Sequence, residues 1–163
     1  MLSFRDKINF TDPEIIRKIA VSTGFFDEED VKVTVALAKE ALKGQSNSPE
    51  NFNFLFAEDD GKTCAYACFG QVPESISTFE LHWLSTLNEF RGQGIGKKLI
   101  EKFLEEVKKQ GGTKVFIKTS GIPQYEPTRR FYESCGFSCE ARLQDYYDEG
   151  NDCLIYSMRL NQN

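Results

Sequence analysis

Residues 78 to 119 constrain this chain more than any other part of it. The apolar run Thr78-Phe79-Glu80-Leu81-His82-Trp83-Leu84-Ser85 is soon followed by Arg91-Gly92-Gln93-Gly94-Ile95-Gly96, then by a helix-patterned segment and the run Lys114-Val115-Phe116-Ile117-Lys118-Thr119. From Gly94 to Gln110 the residues Ile95, Leu99, Ile100, Phe103, Leu104 and Val107 form one apolar stripe, with lysines and glutamates opposite. Gly111-Gly112 ends the helix. Strand, turn, helix and strand in this order place two parallel strands in one sheet, joined by a right-handed crossover. The glycine turn then lies at the carboxyl end of a strand, where open α/β sheets receive ligands.

That turn reads as an anion cradle. Each glycine can take positive φ, which lets the N–H groups from Gly92 to Lys97 converge on one phosphate, and the helix dipole adds to the field. Arg91 with Lys97 or Lys98 supplies charge. A P-loop is excluded, because Arg91 stands where its first glycine belongs and Lys98 where its hydroxyl residue belongs. A dinucleotide fingerprint does not fit either, since the third glycine comes one residue early and the turn lies midway along the chain.

The remaining pattern adds a first short strand over residues 3 to 10 and a helix entered through Thr11-Asp12-Pro13-Glu14. Gly24-Phe25-Phe26 interrupts, and Asp27-Glu28-Glu29-Asp30 opens a second helix that ends at Leu42-Lys43-Gly44. A polar loop follows over Gln45 to Asn51. Strands over 52 to 58 and 63 to 69 flank the turn Asp59-Asp60-Gly61. A shorter helix spans Pro127 to Cys135, capped by Gly136. Strands from Phe137 to Asp145 and Asp152 to Leu160 form a hairpin through Tyr146-Tyr147-Asp148-Glu149-Gly150-Asn151. The expected fold class is mixed α/β: one domain over residues 1–163, with a single sheet and helices on both faces.

Composition narrows the function. Net charge is −5 at a sequence pI near 5.0, which argues against general nucleic-acid affinity, and no apolar run is long enough to cross a membrane. The N-terminus lacks an apolar leader, so the expectation is a cytoplasmic protein with reduced thiols. Cys64, Cys68, Cys135, Cys139 and Cys153 form no CxxC pair and His82 is the one histidine, so no metal site is expected. Cys64 and Cys68 are expected on one face of a strand as small packing residues.

A second motif, Phe131-Tyr132-Glu133-Ser134-Cys135-Gly136-Phe137, fits [FL]-Y-x-x-x-G-F, and Arg91 to Gly96 fits [Q/R]-x-x-G-x-[G/A]. Spaced by one helix and one strand, the pair resembles the GCN5-related N-acetyltransferase (GNAT) family, most clearly over residues 76 to 140. The resemblance implies a GNAT fold, a central mixed sheet of about six to seven strands flanked by about four helices. It also implies acetyl-CoA as acyl donor and an amine that attacks the thioester directly in a ternary complex. Cofactor contacts then fall on Leu84, Ser85, Thr86, Arg91, Gly92, Gln93, Gly94, Ile95, Gly96, Lys97, Tyr125 and Thr128. Tyr125 and Thr128 replace the family's frequent Asn and Ala, which alters the surroundings of the pantetheine arm.

Acyl transfer sets three demands. An alkyl amine has a pKa of ~10.4, so near pH 7 a base must take its proton. Glu80 is the candidate, and His82, two residues on and on the same side of an extended strand, is the other. A salt bridge to Arg142 is the plain alternative for Glu80. Backbone N–H groups near Leu84 to Thr86 suit the oxyanion if the strand splays there. Tyr132 matches the family's general acid, which protonates the departing thiolate. Arg129 and Arg130 either reach the 3′-phosphate or cover their helix. Trp83 belongs to the core. Phe25, Phe26, Tyr146, Tyr147 and Asp148 are candidates for the acceptor wall. A small-molecule amine is favoured over a protein as acceptor, a homodimer is compatible with the chain, and the alternative function is a non-catalytic acyl-CoA sensor.

Overall fold

The computed structural model describes residues 1–44 and 52–161; the polar loop expected over Gln45 to Asn51 lies outside the described residues. In chain order the elements are β1 (Leu2–Arg5), α1 (Asp12–Thr23), α2 (Glu28–Leu42), β2 (Asn53–Asp59), β3 (Lys62–Gln71), β4 (Thr78–Thr86), α3 (Ile95–Lys109), β5 (Lys114–Ser120), α4 (Glu126–Ser134), β6 (Ser138–Asp148) and β7 (Asn151–Arg159). The strands form one seven-stranded sheet in the order β1-β2-β3-β4-β5-β7-β6. Every pairing is antiparallel except β4 with β5. This is the mixed sheet with four helices that the two motifs imply. Two single-turn 3₁₀ helices, Asn88–Phe90 and Pro123–Tyr125, escaped the sequence pattern because each is too short to carry a period.

Each face of the sheet has its own core. On one, Leu99, Ile100, Phe103 and Val107 of α3 and Tyr132 of α4 pack on Leu55, Ala67, Phe69, Leu81, Val115 and Ile117. On the other, Ile16 and Ile19 of α1 and Val31 and Val35 of α2 cover Phe54, Phe56, Tyr66 and Cys68. The alternation of Phe54 to Ala57 in β2 and of Ala65 to Phe69 in β3 between these cores is what a centrally placed strand requires.

Two bulges break that alternation. In β3 the register slips opposite Ala57 and Glu58, so Cys64 turns to the α3 face beside Ala65, while Cys68 faces α1 and α2. The shared face expected for these cysteines is therefore corrected: one extra residue reverses side-chain parity. In β4, Phe69 pairs with Leu81 and Cys68 with Trp83, leaving His82 as the extra residue. Leu81 thus faces α3, and Trp83 packs from the partly buried rim of the α1–α2 core.

Helix ends follow local chemistry. Asp27 caps α2 by accepting from the Asp30 N–H at 2.8 Å, and Glu28, Glu29 and Asp30 load its first turn with negative charge. α1 has no side-chain cap, but Asp12 in its first turn is buried and paired with Arg5 at 2.7 Å. At the end of α3, Gly111 adopts φ 82° and the Gly112 N–H donates to the Val107 carbonyl at 2.8 Å. A Cβ on Gly112 would stand 2.2 Å from Val107 Cγ1 and 2.9 Å from the Phe79 ring. Gly112→Ala is therefore expected to lower unfolding free energy by about 1–3 kcal/mol, read as a fall in the urea midpoint at unchanged slope.

Candidate active site

The site begins where β4 and β5 part. Only three residue pairs, Thr78 with Lys114, Phe79 with Val115 and Glu80 with Phe116, join the two strands. Beyond Glu80, β4 continues to Thr86 against β3 alone, and β5 continues to Ser120 against β7 alone. The His82 bulge bends β4, as bulges do. At the end of β5, Arg129 donates to the carbonyls of Ser120 and Ile122 at 2.8 and 2.9 Å, while the Gly121 N–H donates to Asp152 O at 2.9 Å. These bonds hold the β5 terminus towards β7 and α4.

The Leu87 N–H donates to Cys64 O in β3 at 2.7 Å, so by the two-residue alternation of a strand the peptide groups of Ser85 also face β3. Those of Leu84 and Thr86 face the opening. The Ser85 side chain is buried on the α1–α2 face, close enough to the Tyr66 hydroxyl to favour its ionised form. Burial wins there and pushes the Tyr66 phenol up to about 12. Of the three predicted residues Leu84, Ser85 and Thr86, the first and last thus present backbone to the opening.

On the α3 side the glycine turn has the backbone features that suit an anion. Gly92 and Gly94 adopt φ 76° and 77°, α3 begins at Gly94 with no side-chain cap, and no acidic residue stands in its first turn. Free of a competing acceptor or carboxylate, the N-terminal N–H groups and dipole suit a pyrophosphate. Arg91, Gln93 and Lys97 are exposed around the turn, whereas Ile95 is buried and anchors it.

Gly96 departs from expectation. Its φ is not positive; its place depends on space, since a Cβ there would lie 3.2 Å from Phe131 Cζ and 3.8 Å from Leu84 Cδ2. The missing side chain lets α3, α4 and the end of β4 converge.

Tyr132 packs between Phe131 and Phe137, with ring centroids at 5.4 and 5.9 Å. Burial pushes its phenol above the ordinary value. The turn after α4 fixes it: Gly136 N–H donates to Glu133 O at 3.0 Å and Phe137 N–H to Tyr132 O at 3.1 Å, with Gly136 at φ 98°. Thr128 lies one turn before Tyr132 on the same helix, and Tyr125 stands at its N-cap. Arg129 donates to two carbonyls at the end of β5, while Arg130 is exposed and pairs with Glu126 of its own helix at 2.8 Å.

The opposite face carries a different set. Glu80 and His82 lie on one side of β4 despite the bulge, with Oε2 and Nδ1 3.9 Å apart, and Lys118 Nζ stands 3.7 Å from Glu80 Oε1. Arg142, the plain partner offered for Glu80, instead pairs with Asp152 at the hairpin. Phe25 from the α1–α2 loop meets Tyr125, ring centroids 5.7 Å apart, and its carbonyl accepts from the Tyr125 hydroxyl at 3.2 Å. The Arg91 guanidinium lies 5.8 Å from the Phe25 ring centroid, linking the anion turn to that loop.

Tyr146, Tyr147 and Asp148 belong to β6, not to the connecting turn, which is Glu149-Gly150. The ladder to β7 slips between Leu143 and Asp148, where Asp145 takes φ 51°, and Tyr146 and Tyr147 stack edge to face at 4.9 Å. The Tyr147 hydroxyl reaches Cys153 Sγ at 3.7 Å, and burial raises its phenol, with smaller contributions from Cys153, Tyr146 and Tyr125. Asp27 and Asp30 contribute after burial to the raised Tyr125 phenol, which places α2's acidic first turn nearby.

Sequence reasoning missed Lys118 and Phe131 as site residues. Lys118 was legible as the residue two beyond Phe116, hence on the Glu80 side of β5, but only once the β4–β5 register is known.

Residues 16–137 match the model of the acetyltransferase (GNAT) family, and the chain belongs to that family. N-alpha-acetyltransferase 30 of Schizosaccharomyces pombe is 35% identical over 111 residues, covering 68% of this chain and 73% of that protein. A solved structure described as a GNAT-family acetyltransferase from Desulfovibrio desulfuricans superposes with a TM-score of 0.93 at 35% identity, covering 98% and 99% of the two chains. An aminoglycoside 6′-N-acetyltransferase complexed with coenzyme A shares the fold, with a TM-score of 0.69 at 17% identity over 98% of this chain and 96% of that one. The protein is an N-acetyltransferase of a family that uses acetyl-CoA. Among the described residues no helix is long and apolar enough to cross a membrane, and no cluster of three metal-ligating side chains occurs.

Gly94 has open space around it, so an added methyl there acts through backbone strain alone. Gly94→Ala is expected to cost about 1–2 kcal/mol at that residue and to weaken acetyl-CoA binding roughly tenfold in calorimetry.

Proposed function

We propose that this chain transfers the acetyl group of acetyl-CoA to a primary amine by direct attack in a ternary complex, with a small-molecule amine as acceptor. The observation that supports the reading is that Tyr132 and Glu80, the residues proposed as acid and base, lie on opposite faces of the sheet, with Glu80 at the last residue pair before β4 leaves β5. Tyr132 sits with α3 and α4, Glu80 with α1 and α2. Donor and acceptor can therefore approach from different sides and meet between the strands.

Acetyl-CoA supplies an activated thioester with a thiol leaving group. Gly92 to Lys97 bind its pyrophosphate through backbone N–H groups and the α3 dipole. The peptide groups of Leu84 and Thr86 face the opening and stabilise oxyanion charge there. Glu80, directly or through a water or His82, removes a proton from the acceptor ammonium. Tyr132 gives its proton to the departing sulfur. Its raised phenol stays protonated through neutral and moderately alkaline pH, the state an acid needs. Tyr125, in contact with Phe25, and Thr128 on α4 are assigned to the surroundings of the pantetheine arm.

A second reading has one specific support. The Schizosaccharomyces pombe relative is named an N-alpha-acetyltransferase, which favours the α-amino group of a peptide as acceptor. A panel of free amines and short peptides, followed by thiol release and by mass of the product, separates the two. Turnover of peptides alone would displace the small-molecule reading, and no turnover with either would count against transfer itself.

Tyr132→Phe is expected to lower kcat by about a hundredfold or more with little change in acetyl-CoA affinity. Unchanged turnover would remove the acid role. Because burial raises the phenol above its ordinary ~10, wild-type kcat should show no alkaline fall due to Tyr132 below about pH 10. A fall near pH 8 that disappears in Tyr132→Phe would contradict this. Glu80→Gln should reduce kcat/KM most at low pH, where the acceptor is most fully protonated; an equal reduction at every pH would argue against the base.

A further inference from the structure

Lys118 is the residue of the opening that the transfer reaction leaves unused. Val115 and Ile117 of β5 enter the α3-side core, so Phe116 and Lys118 project to the face that carries Glu80 and His82. The Lys118 ammonium stands 3.7 Å from Glu80 Oε1, beyond hydrogen-bond length, so its three N–H donors are not spent on that carboxylate. Its side chain is 38% exposed, against 16% for Glu80, which places the ammonium at the wetter end of the pair.

Neighbouring cations are committed elsewhere. Arg129 holds the carbonyls of Ser120 and Ile122, Arg142 holds Asp152, and Lys114 pairs with Glu140 at 2.7 Å. Lys118 thus brings a positive charge with unspent donors to the place where a cationic acceptor must reach its base. For an acceptor bearing only an ammonium this charge is repulsive. For an acceptor that also bears a carboxylate a few bonds from the amine, Glu80 and Lys118 form the complementary pair, anion to ammonium and cation to carboxylate.

We propose that Lys118 determines acceptor specificity by binding a carboxylate adjacent to the reacting amine, so that the acceptor is an amino acid or an equivalent amino-carboxylate group. The proposal rests on the transfer reaction described above and narrows its acceptor class. The required chemistry comes from two sources, a free α-amino acid or a peptide whose first residue is acidic.

The test compares acceptors matched except for charge: free amino acids against their amides, and peptides beginning with Asp against the same peptides beginning with Asn. The readout is the ratio of kcat/KM for the charged over the uncharged member. Wild type is expected to favour the carboxylate about tenfold or more, through KM, in at least one of the two series. That series identifies the source. Lys118→Met should bring the ratio close to one, and Lys118→Arg should retain most of it. A wild-type ratio near one in both series, or a ratio unaltered in Lys118→Met, overturns the proposal.

Calorimetry of the same pairs on CoA-loaded protein gives a second reading that does not depend on turnover. Preferential binding of the carboxylate that is lost in Lys118→Met supports the site even where no thiol is released, and equal binding overturns it. Absence of thiol release with every acceptor is, by contrast, evidence against the transfer reaction.

Discussion

The early end of the β4–β5 ladder governs the rest of this structure. A parallel pair in the middle of a seven-stranded sheet would ordinarily continue for the length of its strands, yet here it stops after three residue pairs. Peptide groups left without a strand partner must find a ligand or water, since an unpaired buried amide costs roughly 1–3 kcal/mol. The opening persists because each strand is held from its far side. β3 keeps β4 past the His82 bulge, and β7 keeps β5 while Arg129 and Gly121 fasten its end.

The two rims of the opening differ in chemistry because the two layers of helices differ. α3 brings an uncapped N-terminus and a dipole suited to phosphate, and α4 brings a phenol that burial keeps protonated. On the α1–α2 face β4 presents the carboxylate of Glu80 and the imidazole of His82, and the α1–α2 loop adds the Phe25 ring. Contacts from Arg91 to Phe25 and from Tyr125 to the Phe25 carbonyl tie the two sides into one rim. The two sides of the opening thereby differ in charge and in the face of the sheet from which they are reached.

Much of the fold was legible in the chain. The stripe of α3, the glycines that close it and the Asp27 cap on α2 state their structure through local rules. The tight glycine turn before α3 and the tyrosine buried on α4 were legible as positions as well, through two motifs at a fixed separation. What failed did so for reasons of parity and competition. Bulges at Cys64 and His82 shift which side chains share a face, and nothing in the local sequence announces them. For Arg129 the sequence left open a phosphate contact or simple cover of its helix, and its bonds to two carbonyls at the end of β5 answer to neither pattern because those partners belong to another element. Gly96 fits the motif for a different physical reason from its neighbours, spacing and not φ.

By itself the sequence determined the succession of elements, the positive-φ glycine turn before α3 and the family, because periodicity, capping and glycine spacing act over a few residues and survive in one dimension. Tertiary structure alone decided where β4 and β5 separate, which sides of the sheet hold Glu80 and Tyr132, and that Lys118 stands beside the candidate base. Those depend on register between strands more than thirty residues apart and on bonds from α4 to the end of β5, and neither leaves a local mark.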